Sequence, residues 1–442
     1  MKILYIPIEI GVRELSSRCS IALGALTKGF DKIIIGKQSE LFIRSNAKGC
    51  YLLKSAASMQ EDLIEDLYSS GHKVFSIDEE GILPHSSSNS HRITRNNIDK
   101  LTAIFCNGFL EIDSLKEEIV SSSKLMHTGN PRFDFYNTDG RNFFITEKQK
   151  IKSRFKKDRK LILIVSRFGD VNPSSCKSTI DQYKDMGIIN SPKELDLNKG
   201  FIEHGIKIFK SMLLMVETIS KEFIDCEIVV RPHPNELVSA WTHLECLPNV
   251  SICAEYEIGA WLSSSNVMIH NGCTTSLESS AIGCPIISYM PFQDSKFDLE
   301  KANALGLPAY TINNVSENLE IIFSNKYSIL EEREKLKKYL FLSEQGSIYS
   351  SISNILFDNA IASEKSQPFL GHLFNMYSFY KKEVAKYLLF IFNLRYDNGR
   401  HKYGRTTSKQ FKELVRKVGE FHNLGNFKVR RSGIDIYEIK LK

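Results

Sequence analysis

Residues 267–289 read "VMIHNGCTTSLESSAIGCPIISY". The apolar run ending at His270 has the length and composition of a buried strand, and "PIISY" reads as a second one. Between them, Thr274, Thr275 and Ser276 suit a helix start and Gly283 suits its end, with Pro285 opening the next strand. Two apolar strands joined through a helix are the unit of a parallel sheet covered by helices. The start of that helix offers unpaired N–H groups and a dipole that favour an anion, and Gly272 permits close backbone approach. Glu278 lies one turn in, where a carboxylate can accept both hydroxyls of a ribose. The stretch reads as a nucleotide holder built from His270, Asn271, Gly272, Thr274, Thr275 and Glu278. The same pattern also describes a plain crossover with N-capping threonines.

On both sides the alternation repeats. "KILYIPIE", "KIIIGK", "CYLLKS" and "HKVFSID" are strand-like, with helical patterns at 13–28 and 57–70, and "LTAIFCNG" and "KLMHTGN" continue the series. After a charged stretch at 146–160, "TEKQKIKSRFKKDRK", it restarts with "LILIVSRF", a long helical pattern at 200–222, "CEIVVRPHP" and "VSICA". Helical patterns at 317–358 close this second series. The expected fold class is α/β, with two Rossmann-like domains facing a central cleft, where open α/β sheets place ligands. The expected domains are 1–145 and 161–361, joined by a charged linker at 146–160 and followed by a basic C-terminal extension at 362–442.

Composition fits that reading. The chain has 442 residues, 42% of them hydrophobic and 25% charged, enough for two or three cores. Nine cysteines contain no CxxC pair and read as reduced, mostly buried thiols. The start, "MKILYIPIEIGVRE", reads as a first strand and not as a signal peptide, and no apolar run approaches the length of a membrane span. The expected location is the cytoplasm. The net charge is +6, yet residues 381–442 hold 16 Lys and Arg against 6 Asp and Glu, so the remainder is slightly acidic. There, "FNMYSFYKKEVAKYLLFIF" mixes aromatics with lysines. Leu388, Leu389, Phe390, Ile391 and Phe392 could enter a bilayer interface while lysines meet anionic headgroups, so peripheral docking on the inner membrane face is expected. A helical extension packed on the second domain fits the same composition. Nothing in the tail matches a nucleic-acid-binding module, and no nucleic-acid partner is expected.

Other strand ends carry chemistry. "EIVVRPHPNE" (227–236) places Arg231 and His233 past a buried strand, and its prolines stiffen the exit. A fixed imidazole can donate to a phosphate or a base carbonyl. "SRFGDVNPSS" (166–175) puts Asp170 just beyond the first strand of the second series. In the first series, "IEIGVRE" offers Glu9 and Glu14 and "DEEG" (78–81) offers Glu79. These acids are candidate bases or sugar ligands, and equally helix-start acids that complement a dipole. No aspartates stand two apart, and neither GxxxxGK[ST] nor HExxH occurs. No metal and no cofactor are therefore expected.

Taken together, "RPHP" at 231–234, "HNGCTTSLE" at 270–278, "PIEIGVREL" at 7–15, "DEEG" at 78–81 and "HTGNPRFD" at 127–134 resemble bacterial surface-carbohydrate biosynthesis proteins of the GT-B glycosyltransferase type. The resemblance covers residues 1–345 and leaves out the tail. Relatives include retaining transferases of the ulosonic acid Kdo that use CMP-Kdo. The resemblance implies that His233, Thr274 and Thr275 hold CMP and that Asp170 is the nucleophile of a double displacement. Glu9, Glu14 and Glu79 stand as the other catalytic candidates. It further implies an acceptor side at 1–145, a nucleotide-sugar side at 161–361, and a metal-independent transfer to a glycan acceptor that is lipid-linked. The alternatives are a nucleotide-sugar 2-epimerase, a glycerophosphotransferase, or a non-catalytic scaffold of glycan assembly.

Overall fold

The structure, a computed structural model, describes residues 1–41, 47–78, 93–116, 122–136, 140–175, 177–185, 187–342, 347–363, 406–433 and 435–442. It divides into two units, Met1–Asp134 with Tyr339–Lys442, and Phe135–Lys338.

In the first unit, strands β1 (Ile3–Ile8), β2 (Lys32–Lys37), β3 (Cys50–Leu53), β4 (Lys73–Ile77), β5 (Ala103–Cys106) and β6 (Leu125–His127) form a parallel sheet. β1 is buried along its whole length, as a continuous apolar strand covered on both faces must be. The order β2-β1-β3-β4-β5-β6 reverses between β1 and β3. Helix Gly11–Lys28 follows β1 and ends at Gly29 in the left-handed conformation. It packs against helix Ile348–Asp358, whose first two N–H groups, those of Ile348 and Tyr349, are each 3.0 Å from the Asp134 carboxylate. Burial pushes the Asp134 pKa up to about 6, against the pull of those two bonds.

The C-terminal residues also build on this unit. Helix Ser408–Phe421 opens with a capping box, Thr407 with Gln410, and buries Phe411, Val415, Val418 and Gly419 on one face. Strands β13 (Phe427–Gly433) and β14 (Ile436–Leu441) then extend the sheet, β14 lying antiparallel to β2. A Cβ at Gly36 would lie 2.2 Å from the Asp435 carbonyl oxygen, so this close approach requires glycine.

The second unit contains β7 (Lys160–Val165), β8 (Cys226–Arg231), β9 (Val250–Ile252), β10 (Val267–His270), β11 (Ile286–Tyr289) and β12 (Leu307–Ala309), all parallel. Their order, β12-β11-β10-β7-β8-β9, is that of a dinucleotide-binding sheet, with its switch point between β7 and β10. Helix Pro192–Glu222 begins at Ser191, whose side chain accepts the Glu194 N–H, and carries proline in its first turn. It buries Ile208, Met212, Met215 and Ile219 in a core shared with the sheet.

The contact division differs from the domain limits expected from sequence. Residues 146–160 do not stand apart as a linker. Helix Ile145–Lys152 buries Ile151 completely and packs on helix Ile258–Ser264, both within the second unit. One apolar anchor is enough to draw a charged helix onto a domain. Residues 339–361, expected with the second unit, and the described part of 362–442 lie with the first. Among the described residues, no helix is long and apolar enough to cross a membrane. Leu388 to Phe392, named above for membrane contact, lie outside the described residues.

His422 joins the C-terminal helix to the first unit. Its Nε2 lies 2.9 Å from Ser20 Oγ, and its ring meets Tyr349 at 4.1 Å. Burial holds its pKa down, from 6.5 to about 4. A depressed histidine pKa means that the neutral ring's contribution is complete above pH 6.5 and is lost as pH falls toward 4. That gap corresponds to on the order of 3 kcal/mol. Acidification from pH 7 to 4 should therefore lower the amide protection factors of Ile436–Leu441, exchange rates being corrected for the intrinsic effect of pH, and His422→Phe should remove most of that loss of protection. An identical acid response in the variant would refute the assignment.

Candidate functional site

The site is built from the exits of β7, β8 and β10 in the second unit. β7 leaves the sheet through Ser166, Arg167 and Phe168. Ser166 Oγ and the Phe168 N–H donate to Glu236 Oε1 at 2.6 and 2.8 Å. The His233 N–H donates to the same oxygen at 3.1 Å, and Trp241 Nε1–H donates to Oε2 at 2.9 Å. Glu236 is only 3% exposed. Burial pushes its pKa up, and these four donors act against the rise. By reaching back three residues to His233, Glu236 closes the "RPHP" turn and ties it to β7.

Arg167, between Ser166 and Phe168, turns to β10 instead. Its Nε donates to the Asn271 carbonyl at 2.7 Å and its Nη2 to Asn271 Oδ1 at 2.9 Å. Asn271 Nδ2 in turn donates to the Tyr289 carbonyl at 2.8 Å. Gly272 then takes a φ of +57°, and its N–H donates to Asn303 Oδ1 at 2.6 Å. A Cβ here would be 2.9 Å from Arg167 Nε, so glycine is needed for conformation and for space.

His270 is completely buried. Its Nδ1 accepts the Cys273 N–H at 3.1 Å, which places the ring proton on Nε2, 3.0 Å from Ser288 Oγ. Burial, helped by the Arg167 charge, holds its pKa down to about 3, so the ring is neutral. His270 and Asn271, expected to contact nucleotide, thus have their side chains committed to the frame. Helix Thr275–Ile282 follows and ends at Gly283 in the left-handed conformation, as its sequence indicated. Thr274 is exposed and makes no capping bond with its side chain. Thr275 Oγ1 accepts from Cys273 Sγ at 3.3 Å. Glu278 is buried, and its charge bears on Arg231 and Cys273.

Arg231 serves as a strap. Its Nη1 and Nη2 donate to the Glu255 and Tyr256 carbonyls, each at 2.8 Å. Burial lowers its pKa, but an arginine remains a cation at neutral pH. His233 is exposed, and its Nδ1 accepts the Asn235 N–H at 3.2 Å, leaving the proton of the neutral ring on Nε2. The turn Phe168–Asp170 lies against it: a Cβ on Gly169 would be 3.5 Å from His233 Nδ1. Asp170 Oδ1 accepts the Tyr183 hydroxyl at 2.9 Å, and burial, then the Asp170 charge, push the Tyr183 pKa up.

The acids of the first unit have local partners. Glu14 is fully buried and accepts the Glu9 and Ile10 N–H groups, each at 3.1 Å. It is a helix-start carboxylate, the second of its two sequence readings. Glu9 pairs with Lys54, just past β3. Glu79 lies outside the described residues.

Sequence reasoning passed over Arg167, Glu236 and Asn303. Glu236 had a usable signal, an acid three residues after a turn residue, able to reach back to its N–H. Arg167 had a weaker one, a cation at the exit of an apolar strand. Asn303 had none, because it meets Gly272 only through the tertiary fold.

No protein-family model matches the chain, and a search among curated proteins gives no match. Solved structures do match. The UDP-GlcNAc 2-epimerase of Methanocaldococcus jannaschii aligns with a TM-score of 0.50 and 12% identity, over 81% of this chain and 100% of that one. The wall teichoic acid polymerase TagF aligns at 0.52 and 9%, over 81% and 88%. The UDP-GlcNAc 2-epimerase of Neisseria meningitidis, bound to UDP-GlcNAc, aligns at 0.49 and 15%, over 81% and 99%. The fold is GT-B. Its two Rossmann-like domains are the two sheets described above.

Glu236→Ala would leave four donors without their acceptor and should lower the unfolding free energy by about 3 kcal/mol or more. Glu236→Gln keeps an acceptor oxygen and should cost less. Both tryptophans, Trp241 and Trp261, lie in the second unit, so urea denaturation followed by their fluorescence reads this effect. An unchanged midpoint in the alanine variant would contradict it.

Proposed function

We propose that this chain is an enzyme that uses a nucleotide-activated sugar in surface-glycan synthesis and holds the nucleotide in its second unit. One observation carries the proposal. At the switch point of a dinucleotide-type sheet, the β7, β8 and β10 exits are knit into one frame, and His233, Thr274, Thr275 and Glu278 belong to the turn and the helix that leave it. Two GT-B neighbours support it: one is named for an epimerase of a UDP-sugar, the other for a teichoic acid polymerase.

The favoured reaction is transfer of a Kdo-like ulosonic acid from a CMP donor to a glycan acceptor. His233 Nε2–H and the start of helix Thr275–Ile282 suit a departing phosphate, and Glu278 suits the ribose. Asp170 is the nucleophile in this reading, and a double displacement would retain configuration. The epimerase and TagF likenesses favour keeping a second reading, a nucleotide-sugar 2-epimerase or a glycerophosphotransferase. Incubation with CMP-Kdo, UDP-GlcNAc and CDP-glycerol separates the readings by which donor is consumed; a scaffold would consume none. His233→Ala and Glu278→Ala should each weaken CMP binding roughly tenfold without unfolding the protein, about 1.4 kcal/mol. Asp170→Asn should abolish transfer and leave donor binding intact. Unchanged calorimetric affinity in both alanine variants would sink the nucleotide site, and normal turnover by Asp170→Asn would remove it as nucleophile.

The proposal extends to a lipid-linked acceptor met at an anionic membrane face. On one face of the C-terminal hairpin, Lys428, Arg430 and Lys440 stand with Lys32 around a single acid, Glu438. Removing the 362–442 tail would also strip β2 of its partner strand, so charge changes are the cleaner test. Each cation near an anionic surface is worth about 1 kcal/mol. Lys428→Gln with Arg430→Gln should then lower binding to phosphatidylserine vesicles roughly 30-fold. Undiminished binding would rule out this face.

A further inference from the structure

We infer that Arg167 is an anion-binding residue of the second unit and takes the phosphate group that follows the nucleoside. The inference rests on the nucleotide reading above and adds the group that recognises charge.

Arg167 emerges at the switch point, where open α/β sheets receive ligands. One edge of its guanidinium, Nε and Nη2, is fastened to the Asn271 carbonyl and Oδ1, and Asn271 is itself fastened to β11. The orientation of the plane is therefore set before any ligand arrives, and little side-chain entropy remains to be lost on binding. Nη1 has no hydrogen-bond partner among the described residues.

The surrounding acids make this absence informative. The charges of Asp170, Asp298 and Glu236 all bear on Arg167, yet none forms an ion pair with it among the described residues. Each has other donors. Asp170 takes the Tyr183 hydroxyl, Asp298 takes His204 Nε2 and the Asp294 N–H, and Glu236 takes its four. A half-buried, pre-oriented guanidinium with Nη1 unbonded and no contact counter-ion is suited to an anion that a ligand supplies. Immediately beyond lies Gly272, whose lack of a Cβ lets the backbone pass close to Nε, and then the positive end of helix Thr275–Ile282. A cation from the β7 exit is thus held beside the glycine and helix start of the β10 exit, an arrangement that fits a phosphate.

Calorimetry of the full chain with cytidine, CMP, uridine and UMP tests this. The wild type should prefer a monophosphate to its nucleoside. In Arg167→Gln that preference should shrink tenfold or more while nucleoside affinity stays the same, and Arg167→Lys should restore part of it. A full preference in Arg167→Gln overturns the inference, as does an equal loss for nucleoside and monophosphate, which would make Arg167 a strut alone. If both variants fail to fold, the Arg167 guanidinium 15N resonances of the wild type decide: a shift with CMP and not with cytidine supports the inference, and no shift overturns it. A wild-type chain that binds none of the four probes overturns the nucleotide reading and this inference together.

Discussion

A carboxylate taken out of water persists only where donors replace the water, and Glu236 has four of them from three segments of chain. Its position makes this bond set structural for the whole edge. The β7 exit and the "RPHP" turn belong to neighbouring strands, and nothing in sheet pairing alone fixes how their loops leave the sheet. Glu236 fixes both, since one oxygen accepts from each. Arg167 does the corresponding work toward β10, and the two anchors alternate along the chain at Ser166, Arg167 and Phe168. Three loops that could each move separately are thereby made one surface. A site assembled this way is oriented before binding, which is the condition under which hydrogen-bond donors are most effective on a phosphate.

The strands were readable because burial on both faces leaves a continuous apolar signature, as in "ILYIPI" and "LILIV". The helix at 275–282 was readable because its end is chemical: Gly283 is left-handed, and Pro285 cannot prolong the helix. The roles of polar residues were less accessible. His270 and Glu278 look alike in sequence, as polar residues beside small ones, yet one is wired shut between Cys273 and Ser288 while the other bears on Arg231. That distinction lies in which backbone N–H arrives beside each side chain. Periodicity carries no such information. The contact division departs from the expected domain limits for a related reason. Residues 146–160 are charged enough to read as a linker, but the one buried isoleucine among them, Ile151, decides their place.

Glu14 shows the same physics in the first unit. It too is a fully buried carboxylate at the exit of a first strand, satisfied by the N–H groups of Glu9 and Ile10. Both units therefore stabilise the turn after their leading strand with an acid. Glu14 spends its oxygens on the start of its own helix. Glu236 comes from a different loop and spends its oxygens on joining two. Of these two acids, only Glu236 joins the exits of two neighbouring strands.

The C-terminal hairpin meets a different constraint. A parallel sheet ending at β2 would present a free edge, and a free edge invites pairing with another chain. β14 covers it, and β13 becomes the new edge. That edge carries Lys428, Arg430 and Arg431, all exposed, and Lys428 stands directly opposite Lys440. Like charges across a strand pair are unfavourable, and Glu438, paired with both Lys32 and Lys440, offsets only part of that cost. The repulsion has a consequence for assembly. A further strand of the same kind would bring more cations against these, so the edge resists growth. The same face stays available to an anionic surface, which would relieve the repulsion that an added strand would increase.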